Sequence, residues 1–191
     1  MKIFNSVLAV SCLLFASISL AIPVLSIDPT SNIAASGTPI SVDINITNLG
    51  GQVVGVFDIA LTWNSTILDF DSVTFDSFLD GPLNSIQSTT LIPGGIDVVE
   101  ISLGDLSNQI GLDTFRLFTA TFIGRDAGTT NLIADGTLGD AFGGGLDVVF
   151  RGATFEISAP ASVPEPNPLA LIAIPITGTF WLRRKHSLRK T

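Results

Sequence analysis

The chain of 191 residues has room for one ordinary domain with processing segments at its ends. Its only cysteine, Cys12, and its only histidine, His186, lie near the two termini. That excludes a Cys/His metal site, a Cys/His dyad and a Ser/His/Asp triad from the body. The net charge of −8 is segregated: all seventeen acidic residues fall between Asp28 and Glu165, with only Arg116, Arg125 and Arg151 among them, which leaves −14 there and repels nucleic-acid phosphates.

Met1 to Ala21 reads as a secretory signal peptide. Lys2 starts it, Val7 to Leu20 is the apolar region, and Ser19 and Ala21 are the small residues at −3 and −1, so cleavage is expected after Ala21. An uncleaved anchor is the alternative. Cys12 sits inside an apolar run that continues past it, and Ala9-Val10-Ser11 is a poor lipoprotein signal.

From Pro23 to about Pro160 the hydrophobic period is two. Ile40, Val42, Ile44 and Ile46 alternate with Ser41, Asp43, Asn45 and Thr47, the pattern of a half-buried strand. Phe57, Ile59, Leu61 and Trp63 give a second. Between Ile67 and Phe75 the phase slips from even (Leu68, Phe70) to odd (Val73, Phe75), which predicts a bulge near Ser72. Further strands are expected at Val24–Ile27, Ile96–Leu103, Phe115–Gly124, Thr129–Ala134 and Leu146–Ile157. Turns are expected at Asn48–Gly51, Asp80–Pro82, Pro93–Gly95 and Asp126–Gly128, with a longer Gly-rich loop at Asp135–Gly145. The expected fold is an all-β antiparallel sandwich of about eight or nine strands. It would be flanked by an N-terminal signal helix and a C-terminal apolar helix.

The stretch 159–168 is Pro-rich and extended, a linker rather than a strand. After it comes an uncharged run, Leu169 to Leu182, and then Arg183-Arg184-Lys185. As a helix of about 1.5 Å per residue the run reaches only about 21 Å, against an apolar membrane core of about 30 Å. Pro175 weakens its middle. The basic cluster acts as a membrane stop held on the cytoplasmic side, which leaves the body outside. The organisation is thus 1–21 signal, 22–158 sandwich, 159–168 linker and 169–191 membrane segment with basic tail.

Acids at strand ends offer hard oxygen ligands for calcium, namely Asp69, Asp71 and Asp76, or Asp135 and Asp140 in the Gly-rich loop. Neither spacing matches a calcium loop. No paired-carboxylate signature for glycoside hydrolysis stands out, no cofactor is implied, and the body is expected to be non-enzymatic.

Two resemblances add to this reading. Gly55-Val56-Phe57-Asp58-Ile59-Ala60-Leu61-Thr62-Trp63-Asn64, Leu68-Asp69-Phe70, Val73-Thr74-Phe75 and Leu117-Phe118-Thr119-Ala120-Thr121-Phe122 with Gly128 resemble the cohesin family of bacterial modules, over roughly residues 24 to 158. The resemblance implies a nine-stranded jelly roll, related in fold to carbohydrate-binding modules, with a sheet face that in cohesins binds a dockerin; contact with a polysaccharide or a dockerin-like protein is the expected role. Asn64-Ser65 stands where cohesins commonly carry Asp-Pro. The tail, Val163-Pro164-Glu165-Pro166 followed by Leu169–Leu182 and Arg183-Arg184-Lys185, is similar to the PEP-CTERM sorting signal. That implies processing by an exosortase, with transient membrane attachment and delivery to the cell surface or extracellular matrix. The competing reading is a dockerin- or carbohydrate-binding receptor held permanently by a single span, for which an exposed aromatic face would be needed; Trp63 is the nominal sugar contact, although its strand phase points it to the core.

Overall fold

The computed structural model describes residues 21–79 and 84–160. The chain divides into two units, Met1–Ala159 and Pro160–Thr191, and apart from Pro160 the described residues belong to the first. Most of the signal segment, the turn at Asp80–Pro82, the sorting motif Val163–Pro166, the apolar run and Arg183–Lys185 lie outside the described residues. None of the described helices is long and apolar enough to cross a membrane.

Among the described residues twelve strands run in chain order: β1 (Val24–Pro29), β2 (Ile33–Ala35), β3 (Pro39–Thr47), β4 (Val56–Thr62), β5 (Leu68–Phe75), β6 (Ser85–Ile92), β7 (Gly95–Ser102), β8 (Thr114–Gly124), β9 (Gly128–Gly139), β10 (Gly145–Leu146), β11 (Val149–Arg151) and β12 (Ala153–Ser158). The first sheet has the order β11-β1-β3-β8-β5, and the second β2-β12-β9-β4-β7-β6 with β10 beside β9. The sandwich is mixed rather than purely antiparallel, because β1–β11 and β2–β12 pair parallel. Both parallel pairs are short strands added at sheet edges by the crossing chain ends, which a hydrophobic period cannot reveal.

The alternating residues of the two sheets interleave. Ile40, Val42, Ile44 and Ile46 from β3 are buried with Phe57, Ile59 and Leu61 from β4, Ile96 and Val98 from β7, and Phe118, Ala120 and Phe122 from β8. Phe57 stacks on Phe118 at 5.6 Å between ring centroids, and Trp63 meets Phe122 edge-on at 5.0 Å. Each such side chain contributes about 1.5–3 kcal/mol on burial, enough to hold the fold without a disulfide.

The phase slip in β5 is a bulge: Phe70 pairs with Phe122 and Ser72 with Thr121, leaving Asp71 extra. A second bulge lies in β8. Ile44 faces Phe118 and Asn45 faces Arg116, so Leu117 is the extra residue and Arg116 turns outward. Two expected segments are corrected. The loop expected at Asp135–Gly145 is strand as far as Gly139, because β9 continues along β4 with Leu138 opposite Phe57. Gly136 (φ +151°) belongs there because a Cβ would stand 2.0 Å from the Asp58 carbonyl oxygen. The single strand expected at Leu146–Ile157 is three pieces, since the chain leaves the second sheet at β10, joins the first at β11 and returns at β12. Strands β2 and β6 were not expected from the sequence.

Candidate functional site

The second sheet presents an open outer face. Opposed residues of neighbouring strands share a side, so the register from β6 through β7 and β4 to β9 places residues in rows. Ile86, Ile101, Val56 and Gly139 form the first row, then Ser88, Val99, Asp58 and Thr137. Thr90, Asp97, Ala60 and Asp135 follow, and Ile92, Gly95, Thr62 and Ile133 form the last. Branched apolar side chains thus stand at both ends, with Ile86, Ile101 and Ile133 exposed, and three aspartates stand between them. Burial pushes the Asp97 carboxyl above its ordinary value, and the hydrogen bond to Asp58 and the charge of Asp58 push it the same way.

The outer face of the first sheet differs in kind. Ser26 Oγ and Asn45 Nδ2 both donate to Asp28 Oδ2 at 2.8 Å, and Thr119 Oγ1 donates to Asp43 Oδ1 at 2.6 Å. Arg116 bridges Asp76 at 2.8 Å and Asp43 at 3.3 Å. The hydrogen bond to Asp76 is the main reason that its guanidinium holds its proton more firmly than usual. On that face the charged groups Asp28, Asp43, Asp76 and Arg116 are closed on neighbouring side chains. The second face leaves apolar carbon toward solvent, the feature that marks interaction surfaces.

The five calcium candidates do not come together. Asp69 faces the Arg125 guanidinium at 3.3 Å, and Asp71 accepts from Ser72 Oγ on the bulge. Asp135 Oδ1 accepts from the Gly136 N–H, on the outer face of β9. Asp140 organises its own loop: its Oδ1 accepts from the N–H groups of Phe142 and Gly144, both at 2.8 Å. Asp76 is held by Arg116. Among the described residues no three His, Cys, Asp or Glu side chains form a metal-holding group. Acids at strand ends here serve turns and ion pairs.

Trp63, the nominal sugar contact, is partly buried. Its Nε1–H donates to the Leu68 carbonyl at 2.8 Å and its ring packs on Phe122, as its strand phase implied. Phe142 is 96% exposed at the rim of a cleft of about 520 Å³, whose wall includes Ala21, Ile22, Pro23, Val53 and Leu146. Ala21, the expected cleavage position, accepts through its carbonyl from Gln52 Nε2 at 3.4 Å.

Among the described residues Glu100, Gln109 and Thr130 are buried polar residues that escaped the sequence reading, and the first two sit deepest. Gln109 accepts at Oε1 from the Val54 N–H (2.8 Å), and its Nε2 donates to the carbonyls of Val54 and Phe78 (both 2.9 Å). Glu100 lies inside β7 and accepts at Oε1 from Ser85 Oγ and Gln87 Nε2, both at 2.7 Å. An isolated Gln beside a short 3-10 turn and a lone Glu in an apolar strand carry no sequence pattern that separates them from surface residues.

Neither a family model nor a curated protein sequence matches the chain. Solved structures do. A non-cellulosomal cohesin from Archaeoglobus fulgidus is similar at 22% identity and a TM-score of 0.58, over 72% of this chain and 92% of that one. A cohesin module from a Clostridium perfringens family 33 glycoside hydrolase gives 13% and 0.61, over 73% and 99%. The match from a type I cohesin–dockerin complex of Clostridium thermocellum gives 11% and 0.60, over 73% and 96%. At these identities the likeness is one of fold, and the fold is a cohesin-like sandwich.

Proposed function

We propose that the body is a non-catalytic docking module whose outer β6-β7-β4-β9 face receives a protein partner. The observation that carries the reading is the contrast between the two outer faces: one closes Asp28, Asp43, Asp76 and Arg116 on neighbouring side chains, while the other presents Ile86, Ile101, Val99 and Ile133 around Asp58, Asp97 and Asp135. A partner that fits carries apolar side chains with basic ones among them, as complementarity to that pattern requires. The resemblance in fold to the cohesin of a cohesin–dockerin complex supports a dockerin-like protein as the partner class.

The test is surface plasmon resonance against dockerin modules and surface proteins of the producing cell. Val99→Arg, at the middle of the face, weakens binding at least about 10-fold, and Thr121→Arg, on the other face, leaves it unchanged. Flat responses throughout, or equal loss from Thr121→Arg, contradict the reading.

Delivery is the second half of the proposal. The order Pro164-Glu165-Pro166, apolar run and basic stop supports sorting by an exosortase at the outer surface of the inner membrane, followed by release to the cell surface or matrix. Pro164→Ala combined with Glu165→Ala leaves an unprocessed, membrane-held precursor. Trimming and release of that variant at the parent's rate removes the sorting reading, whereas a parent chain that is itself never trimmed is a permanent anchor.

A further inference from the structure

The second sheet ends at β6, and among the described residues this edge lacks the devices that usually keep sheet edges from pairing. The eight residues Ser85–Ile92 contain no charge and no proline, and their register with β7 is unbroken. The opposite kind of edge is visible elsewhere in the molecule. Strand β5 carries Asp69, Asp71 and a bulge, while β2 and β11 are three residues each. Ser88, Thr89 and Thr90 are exposed, and Leu91 is 73% exposed although its inward phase pairs it with fully buried Ile96.

The direction of the backbone groups follows from the hairpin. Ile92 and Gly95 flank the two-residue turn Pro93-Gly94 and so form a hydrogen-bonded pair. Alternation then commits Ile92, Thr90, Ser88 and Ile86 to β7. The N–H and C=O groups of Leu91, Thr89 and Gln87 point to the open edge.

We propose that β6 pairs antiparallel with β6 of a second copy of this chain, about a two-fold axis between the two Thr89 residues. An axis perpendicular to the sheet keeps inner faces inner, so only registers that pair residues of the same phase are allowed. The register centred on Thr89 sets Ile86 opposite Ile92 of the other copy, twice, on the outer face. On the inner face it sets Gln87 opposite Leu91 and Thr89 opposite Thr89. The outward-pointing groups of Gln87, Thr89 and Leu91 meet one another in hydrogen-bonded pairs. Charge restricts where two copies meet: both bodies are strongly acidic and repel, and the repulsion is least along a strand that carries no carboxylate.

The experiment uses the full chain in non-ionic detergent, with Cys12→Ser to remove the only native thiol. In a hydrogen-bonded pair the two Thr89 Cα atoms lie about 5.5 Å apart, within disulfide reach. Thr89→Cys therefore links two copies under mild oxidation at least about 10-fold faster than Thr74→Cys, an exposed position on the guarded β5 edge. Association through the apolar ends would not separate the two positions. Thr89→Pro removes only an outward N–H and keeps the fold, and it raises the dimer dissociation constant at least about 10-fold. Equal linking at Thr89 and Thr74, a Thr89→Pro variant that dimerises like the parent, or linking at Thr89 only to a different protein each overturns the proposal.

Discussion

Replacing Gln109 by alanine tests how the second sheet is tied to the loop before β4. The side chain is 1% exposed and spends all three of its hydrogen bonds on backbone: the N–H and C=O of fully buried Val54, and the C=O of Phe78. The truncation strands both Val54 groups, each at about 1–3 kcal/mol. Phe78 is only partly buried, so water recovers most of its carbonyl. The expected loss is about 3–5 kcal/mol, a large share of the roughly 5–15 kcal/mol that stabilises an ordinary domain. Equilibrium urea unfolding followed by Trp63 fluorescence in a Trp181→Phe background measures it, since Trp63 packs on Phe122. Gln109→Glu sharpens the test. Its carboxylate accepts from the Val54 N–H but has no proton for either carbonyl, while the protonated acid regains one donor. Burial raises that group's folded pKa above its unfolded value, so the stability it contributes is present at low pH and is lost as pH rises through the folded value. Gln109→Ala shows no such slope. A loss below about 1 kcal/mol in Gln109→Ala would mean that water enters and replaces the amide, and the clamp would have to be abandoned.

Asp97 has a folded pKa raised above the ordinary 3.8, chiefly by burial and then by Asp58. The folded state therefore binds more protons than the unfolded one just above that value, and stability falls as pH rises through this window. Asp97→Asn flattens that part of a melting-temperature profile, and an unchanged slope would remove the pair from the account. Gly136→Ala forces a Cβ to 2.0 Å from the Asp58 carbonyl oxygen and costs more than about 3 kcal/mol by denaturant unfolding. A cost near 1 kcal/mol would show that β9 can move away from β4. Arg116→Ala removes a half-exposed bridge to Asp43 and Asp76 and costs no more than about 1 kcal/mol, with the parent's salt dependence reduced. A larger loss in the same unfolding assay would mean that the network, rather than burial, holds the first sheet.

Much of the fold was legible because burial imposes a period. The alternation in β3 and β4 states which side faces the core, and the slip at Phe70–Val73 states where β5 bulges. The β8 bulge was missed in a strand expected to run evenly from Phe115 to Gly124, although Phe115 and Leu117 are in one phase and Phe118, Ala120 and Phe122 in the other. Strand β6 was hidden because it is an edge. Its inward positions hold Ser85, Gln87 and Thr89, with Ser85 and Gln87 serving buried Glu100, so its apolar residues Ile86, Leu91 and Ile92 show no period. Strand β9 was cut short because Asp135-Gly136 has the composition of a turn, whereas Gly136 is required by close approach to β4. The contrast between the two outer faces depends on cross-strand register, which one strand's sequence does not contain. Ser41 and Asp58 look alike in the chain, yet they occupy surfaces of opposite character.

The most direct measurement places a photo-activated cross-linking residue at Val99, in the middle of the outer β6-β7-β4-β9 face, and separately at Ser41, on the outer face of the first sheet. Each full chain is irradiated in the producing cell, and adducts are identified by mass spectrometry. The account predicts discrete protein adducts at Val99, reduced by a neighbouring Ile101→Glu substitution, and few or none at Ser41. Equal labelling at the two positions, or adducts at Ser41 alone, would contradict it.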